Sequence, residues 1–145
     1  MALRQGRVPT IGGTDYVLIE LWRDISWQAA TDAANQLTCA GYCPVLAHPE
    51  RYLAFLWSPK KALRFRHETG ALLQVNANTI LHPRNYWERR FTEYMLQEGG
   101  VDAVASDAHN CENRPVNLEA AYQWLVLHTD AAYAQELVTF GGELI

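Results

Sequence analysis

Short apolar runs alternate with longer stretches of helical spacing along this chain. Tyr16 to Leu21 (Tyr-Val-Leu-Ile-Glu-Leu) is a β-rich run that follows the turn signal Gly12-Gly13. From Trp27 to about Ala40 the sequence is Ala-rich with helical spacing, and Gly41 is a stop signal. Pro44 to Ala47 is again short and apolar. Lys60 to about Thr69 predicts a helix closed by Gly70, and Ala71 to Val75 is strand-like. A helix over Tyr86 to Gln97 ends at Gly99-Gly100, and Val101 to Ala105 reads as a fourth strand. Leu118 to His128 and Ala131 to Val138 are helical.

Short apolar strands separated by helices of about ten or more residues indicate βα units and a parallel sheet. Such connections are right-handed and put the helices outside the strands. The fold class expected is therefore α/β. Parallel strands also bring all their C-terminal ends to one edge, the edge where α/β folds bind ligands.

Composition narrows the function classes. Of 145 residues 49% are hydrophobic and 19% charged, ordinary for a domain that buries a core. The net charge of −4 offers no electrostatic footprint for nucleic acid, and no Lys/Arg stripe is interleaved with aromatics. Lys60-Lys61, Arg64 and Arg66 read as a solvated helix face. No run approaches eighteen apolar residues, so no membrane span is expected, and the first twenty residues lack the apolar core of a signal peptide. A cytoplasmic location is the default. Cys39, Cys43 and Cys111 are odd in number and lack paired metal spacing, so each reads as a buried, unreactive thiol in a reducing compartment.

The strand ends carry the chemistry. Glu20 lies near the end of the first strand, His48 just past the second, and Asp107 and His109 just past the fourth. Separations of 28 residues (Glu20 to His48) and 59 (His48 to Asp107) rule out a local motif, yet the inferred sheet brings all four to one rim. Two carboxylates and two imidazoles suit a divalent metal such as Mn, Zn or Fe. Three of them have a blander reading: Glu20 in a salt bridge, His48 as a loop residue, Asp107 as a helix cap. Arg51 follows His48 by three residues and Arg114 follows Asp107 by seven. Arginine matches phosphate best, because its planar fork makes bidentate charge-assisted bonds. A metal and arginines on one rim point to phosphoester hydrolysis. His67, His82 and His128 lie in helical or turn contexts and read as structural or surface residues.

Competing chemistries fail on spacing. No cysteine is followed after five residues by an arginine, as a thiol phosphatase requires, for Arg114 stands only three beyond Cys111. Neither a Gly-x-x-x-x-Gly-Lys-Ser/Thr loop, nor Gly-x-Gly-x-x-Gly, nor Gly-x-Ser-x-Gly occurs.

The string Val45-Leu46-Ala47-His48-Pro49-Glu50-Arg51-Tyr52 resembles the signature of PHP-family (polymerase and histidinol phosphatase) proteins. More narrowly it is similar to the bacterial manganese-dependent protein-tyrosine phosphatases that regulate capsule and exopolysaccharide synthesis. Tyr16 to Glu20, Gly70 to Gln74, and Ala103 to Asn110 with Arg114-Pro115 agree in order and spacing, so the resemblance covers about residues 8 to 140. It implies that Glu20, His48, Asp107 and His109 are metal ligands, with Mn2+ the first choice, and that Arg51 and Arg114 hold the substrate phosphate. It implies as substrate the tyrosine-rich C-terminal tail of a membrane-associated bacterial tyrosine kinase.

The departures from that family matter. Its members open with a strand ending in His-x-His, followed by a further Asp and His, and no histidine precedes Tyr16 here. Residues 1–145 are therefore expected to be the C-terminal part of a PHP-type, distorted TIM-like barrel, lacking the first βα units of a barrel of about 250 residues. Open barrel edges invite pairing with another chain, so self-association is expected. A phosphotyrosine phosphatase, a histidinol-phosphate-type phosphomonoesterase and an inactive metal-, anion- or partner-binding remnant all stay open.

Overall fold

The computed structural model describes residues 10–106 and 114–143. Strand β1 (Tyr16–Ile19) is followed by helix α1 (Trp27–Cys39), β2 (Cys43–Ala47), a 3-10 turn (Pro49–Arg51), α2 (Leu53–Leu56) and α3 (Pro59–Thr69). Then come β3 (Leu72–Asn76), α4 (Ala77–Leu81), α5 (Tyr86–Gln97), β4 (Ala103–Ala105), α6 (Arg114–His128) and α7 (Ala131–Glu143). The strands form one parallel sheet in sequence order, β1-β2-β3-β4. The expected α/β architecture is the one observed.

Local chemistry sets the helix ends. Ser26 caps α1 by accepting the Ala29 N–H at 3.1 Å. Pro59 opens α3, where its missing N–H costs nothing. Gly70 ends α3 at φ 71°, a left-handed conformation that side chains with a Cβ rarely adopt. Asn85 caps α5 by accepting the Glu88 N–H at 3.0 Å.

The structure departs from the sequence reading in several places. β1 stops at Ile19, whose partner is Leu46. The chain then leaves the ladder, because the Leu21 N–H donates to the Tyr52 hydroxyl (3.1 Å) instead of to a strand. The 3-10 turn, α2 and α4 have three to five residues each, too few to show helical spacing in a sequence. α6 opens at Arg114 rather than Leu118, and α7 runs on through Gly141-Gly142. Cys39 is exposed and Cys43 half-buried, so neither is the inert core thiol expected; partial burial does push the Cys43 thiol pKa up. Cys111 lies outside the described residues.

Leu46, Leu73, Val75 and Val104 of the sheet join Phe55, Phe65, Phe91 and Met95 of the helices in one buried cluster. Each such side chain contributes roughly 1.5–3 kcal/mol over its exposed state. α7 packs on β4, and its Tyr133 hydroxyl makes two bonds to Val101, donating to the carbonyl (2.8 Å) and accepting the N–H (3.2 Å). Burial pushes the Tyr133 hydroxyl up to about 12. At the other end of α7, Phe140 meets Tyr16 of β1 edge-to-face, with ring centres 5.6 Å apart.

One member of the basic cluster on α3 is half-buried and paired rather than simply solvated. Arg66 donates to Asp102 through Nε (2.8 Å) and Nη2 (2.7 Å), and Asp102 also accepts the Leu73 N–H at 2.9 Å. That carboxylate ties α3, β3 and the approach to β4 together. Asp102→Ala leaves a backbone N–H and a half-buried guanidinium without their acceptor, at an expected cost of about 2–4 kcal/mol. Urea unfolding of the variant measures it; a loss under about 0.5 kcal/mol would make the pair an ordinary surface contact.

Candidate active site

The rim is built from the residues just past the strand ends. β2 ends at Ala47, and the next N–H, of His48, donates to the Gln74 carbonyl of β3 at 2.7 Å. His48 then turns the chain at φ 40°, ψ 60°, the one described non-glycine residue with positive φ. Proline next in sequence disfavours the right-handed helical region for His48. A left-handed histidine costs on the order of 1–3 kcal/mol and persists where surrounding bonds over-determine it. Here the bond to Gln74 and the 3-10 turn Pro49–Arg51 do so.

The kink brings His48 Nε2 to 3.3 Å from Glu20 Oε1. The imidazole is largely buried, its side chain 14% exposed, whereas Glu20 is 66% exposed. His48 Nδ1 is buried without a hydrogen-bond partner among the described residues. The ring leans on Tyr52, centres 5.8 Å apart, and the Tyr52 hydroxyl accepts the Leu21 N–H. Tyr52 thus fastens the loop after β1 to the turn after β2, and its burial pushes its own hydroxyl pKa up.

This donor pair fits a divalent ion. Ligand bonds of about 2.0–2.2 Å to nitrogen and oxygen place two donors of one metal roughly 3 Å apart. Among the described residues, no group of three His, Cys, Asp or Glu gathers at a single point. Asp107 and His109 lie outside the described residues, and Arg114 opens α6. Of the six residues expected at the site, Glu20, His48 and Arg51 are therefore brought to one rim. His67, His82 and His128 are exposed, in line with a surface role, and His128 stacks on Trp124 at 3.9 Å.

Beneath the rim lies a buried acid. Glu50 Oε1 accepts the Asn76 N–H at 3.1 Å, while Oε2 has no partner in hydrogen-bond geometry among the described residues. Burial pushes its carboxyl up to about 7, against the smaller opposing pull of backbone N–H groups, the Thr79 hydroxyl and Arg51.

An open cleft of about 390 Å³ lies over this rim, lined by Leu21, Arg23, His48, Arg51, Tyr52 and Arg84. Arg23 and Arg84 were not singled out from the sequence. The available signal for Arg84 was its spacing to Glu88, four residues on, which is a helical ion-pair spacing. A wider cleft of about 590 Å³ between α5 and the α6–α7 connection holds Trp124, His128 and Tyr133, away from the strand ends.

Fold and rim together define a parallel α/β protein with an imidazole–carboxylate pair and arginines at its strand ends. The chain belongs to the CpsB/CapC family of capsular polysaccharide synthesis, whose model matches residues 1–144. It is 35% identical over 126 residues to the tyrosine-protein phosphatase CpsB of Streptococcus agalactiae, covering 83% of this chain and 51% of that one. With CpsB of Streptococcus pneumoniae it shares 30% over 140 residues, 93% of this chain and 57% of the relative. With the tyrosine-protein phosphatase YwqE of Bacillus subtilis it shares 29% over 119 residues, 82% and 46% respectively. A chain from the crystal structures of YwqE of Bacillus subtilis and CpsB of Streptococcus pneumoniae, described as metal-dependent tyrosine phosphatases, shares the fold. There the TM-score is 0.84 at 24% identity, over 99% of this chain and 57% of the other. The chain spans about half the length of the curated relatives it matches.

The buried acid gives a pH prediction. Because the folded pKa of Glu50 lies near 7 and its ordinary value is 4.5, the fold favours the neutral acid. Its contribution is fully present below about 4.5 and is lost as pH rises through about 7. In chelator, stability should fall by roughly 3 kcal/mol from this group between pH 4.5 and 8, and Glu50→Gln should remove that fall. Urea midpoints of both proteins at the two pH values decide it. Equal slopes would mean that Glu50 is not held neutral.

Proposed function

We propose that this rim hydrolyses phosphotyrosine on proteins in the control of capsular and exopolysaccharide synthesis. The observation that carries the reading is the His48–Glu20 pair at 3.3 Å, with His48 and Arg51 lining one cleft. Family membership and the tyrosine-phosphatase names of the relatives support phosphotyrosine over histidinol phosphate. Glu20 and His48, with Asp107 and His109, would hold a divalent ion, Mn2+ first and Zn or Fe as alternatives. Such an ion, when bound, supplies Lewis acidity toward a phosphoryl oxygen and lowers the pKa of water. Arg51 and Arg114 hold the phosphate and balance the charge that grows on it in the transition state. The buried flank of His48, fixed by Tyr52 and the Gln74 carbonyl, keeps the imidazole oriented.

The substrate on this reading is the phosphotyrosine-bearing C-terminal tail of a bacterial tyrosine kinase, met in the cytoplasm. No described helix is long and apolar enough to cross a membrane. The rest of the metal set would come from outside residues 1–145, either from further βα units or from another chain paired along outer strand β1 or β4.

The deciding assay is phosphate release from a phosphotyrosine peptide, with Mn2+ and with chelator, alongside metal content. His48→Ala should lose metal and turnover together. Arg51→Ala and Arg114→Ala should each lower kcat by about 10²–10³ while metal stays bound. A folded chain that binds no metal and releases no phosphate would overturn the reading for these residues. Faster release from histidinol phosphate would transfer it to the other phosphomonoesterase class.

A further inference from the structure

Each outer loop at the rim brings a polar group to the cleft, and the loop after β3 brings Arg84. It lies between α4 and α5, on the same edge of the sheet as Arg23 after β1 and His48 with Arg51 after β2. Arg84 is held from behind. Its Nε donates to Glu88 Oε1 at 2.8 Å, its Nη2 lies 2.6 Å from the same oxygen, and its backbone N–H donates to Glu88 Oε2 at 2.9 Å. Glu88 is buried, its side chain 3% exposed, whereas the Arg84 side chain is 70% exposed. A buried carboxylate thus fixes the position of a surface guanidinium, and the two Nη1 N–H groups have no partner among the described residues.

We propose that Arg84, held in place by Glu88, is a third arginine of the anion site and donates to phosphoryl oxygens of the substrate. Glu88 is its positioning residue. The inference rests on the phosphate reading of the rim and deepens it. Three features carry it: the shared cleft with His48 and Arg51, the exposed edge of the guanidinium, and the bonds that immobilise the other edge. A fork already ordered loses less side-chain entropy on binding a phosphate than a free arginine does. The competing account makes the pair a clip that only closes the loop onto α5. In a plain capping box the N3 glutamate reaches back to the N-cap N–H; Glu88 reaches one residue further, to Arg84.

The test uses inorganic phosphate as the probe, followed by 31P line broadening with the metal-free full chain, and thermal melting of every variant. Arg84→Ala should weaken phosphate binding by about tenfold or more, and Arg84→Lys should not restore it, because an ammonium cannot span the same two acceptors. Glu88→Gln should weaken binding less, by about threefold, with Arg84 still present. Arg51→Ala is the control for the underlying reading. If Arg51→Ala weakens binding and Arg84→Ala only lowers the melting temperature, Arg84 is a clip and the inference falls while the phosphate reading stands. If Arg84→Ala weakens binding and Arg51→Ala does not, the inference stands and the role given to Arg51 falls. If the wild-type chain shows no phosphate binding, both fall.

Discussion

The bond from the His48 N–H to the Gln74 carbonyl carries the β2–β3 ladder one residue beyond the strand, and the rim depends on it. It holds the chain in place at the point where the backbone enters a left-handed conformation before a proline. With the bond made, the imidazole projects beside Glu20, Arg51 turns into the cleft, and Tyr52 reaches back to the loop after β1. Without it the histidine would relax toward the extended conformation that a following proline favours. The pairing of an imidazole with a carboxylate 28 residues away thus follows from backbone geometry more than from attraction between the two side chains.

Three acids repeat one device around this frame. Glu50 takes the Asn76 N–H, Glu88 takes the Arg84 N–H, and Asp102 takes the Leu73 N–H. In each case a mostly buried carboxylate accepts a main-chain donor where the regular structure begins or ends. Two of them also hold an arginine: Asp102 holds Arg66 within the helix layer, and Glu88 holds Arg84 beside the cleft. At Glu50 burial outweighs the opposing pull of its hydrogen-bond donors and of Arg51, and so dominates its chemistry.

Much of this was legible in the sequence. Apolar runs of four to six residues between helical stretches gave the parallel sheet, and the strand ends then gave Glu20, His48 and Arg51 as neighbours. What stayed hidden depended on tertiary contacts. Glu20 reads as a residue inside a strand, because nothing local shows that Leu21 will bond to a tyrosine 31 residues on. Arg66 reads as one of a solvated set, since Asp102 is 36 residues away. Arg84 follows a proline in a short loop, and only the folded chain brings it beside His48. The helix over Ala77 to Leu81 is a single turn, below the length at which periodicity has meaning.

Helix α7 meets the first and last strands of the sheet, Tyr16 of β1 through Phe140 and Val101, two residues before β4, through Tyr133, so both contacts lie at the N-terminal ends of the strands. The sheet is therefore fastened at its base, as a fan is at its rivet. Amide protons at the base of β1 and β4 should exchange with solvent as one cooperative unit, because opening either strand means lifting the same helix. A widening of the sheet meets least resistance at the opposite edge. That edge carries the chemistry, and it can adjust to an incoming polypeptide without any strand having to come away from its neighbour at the base.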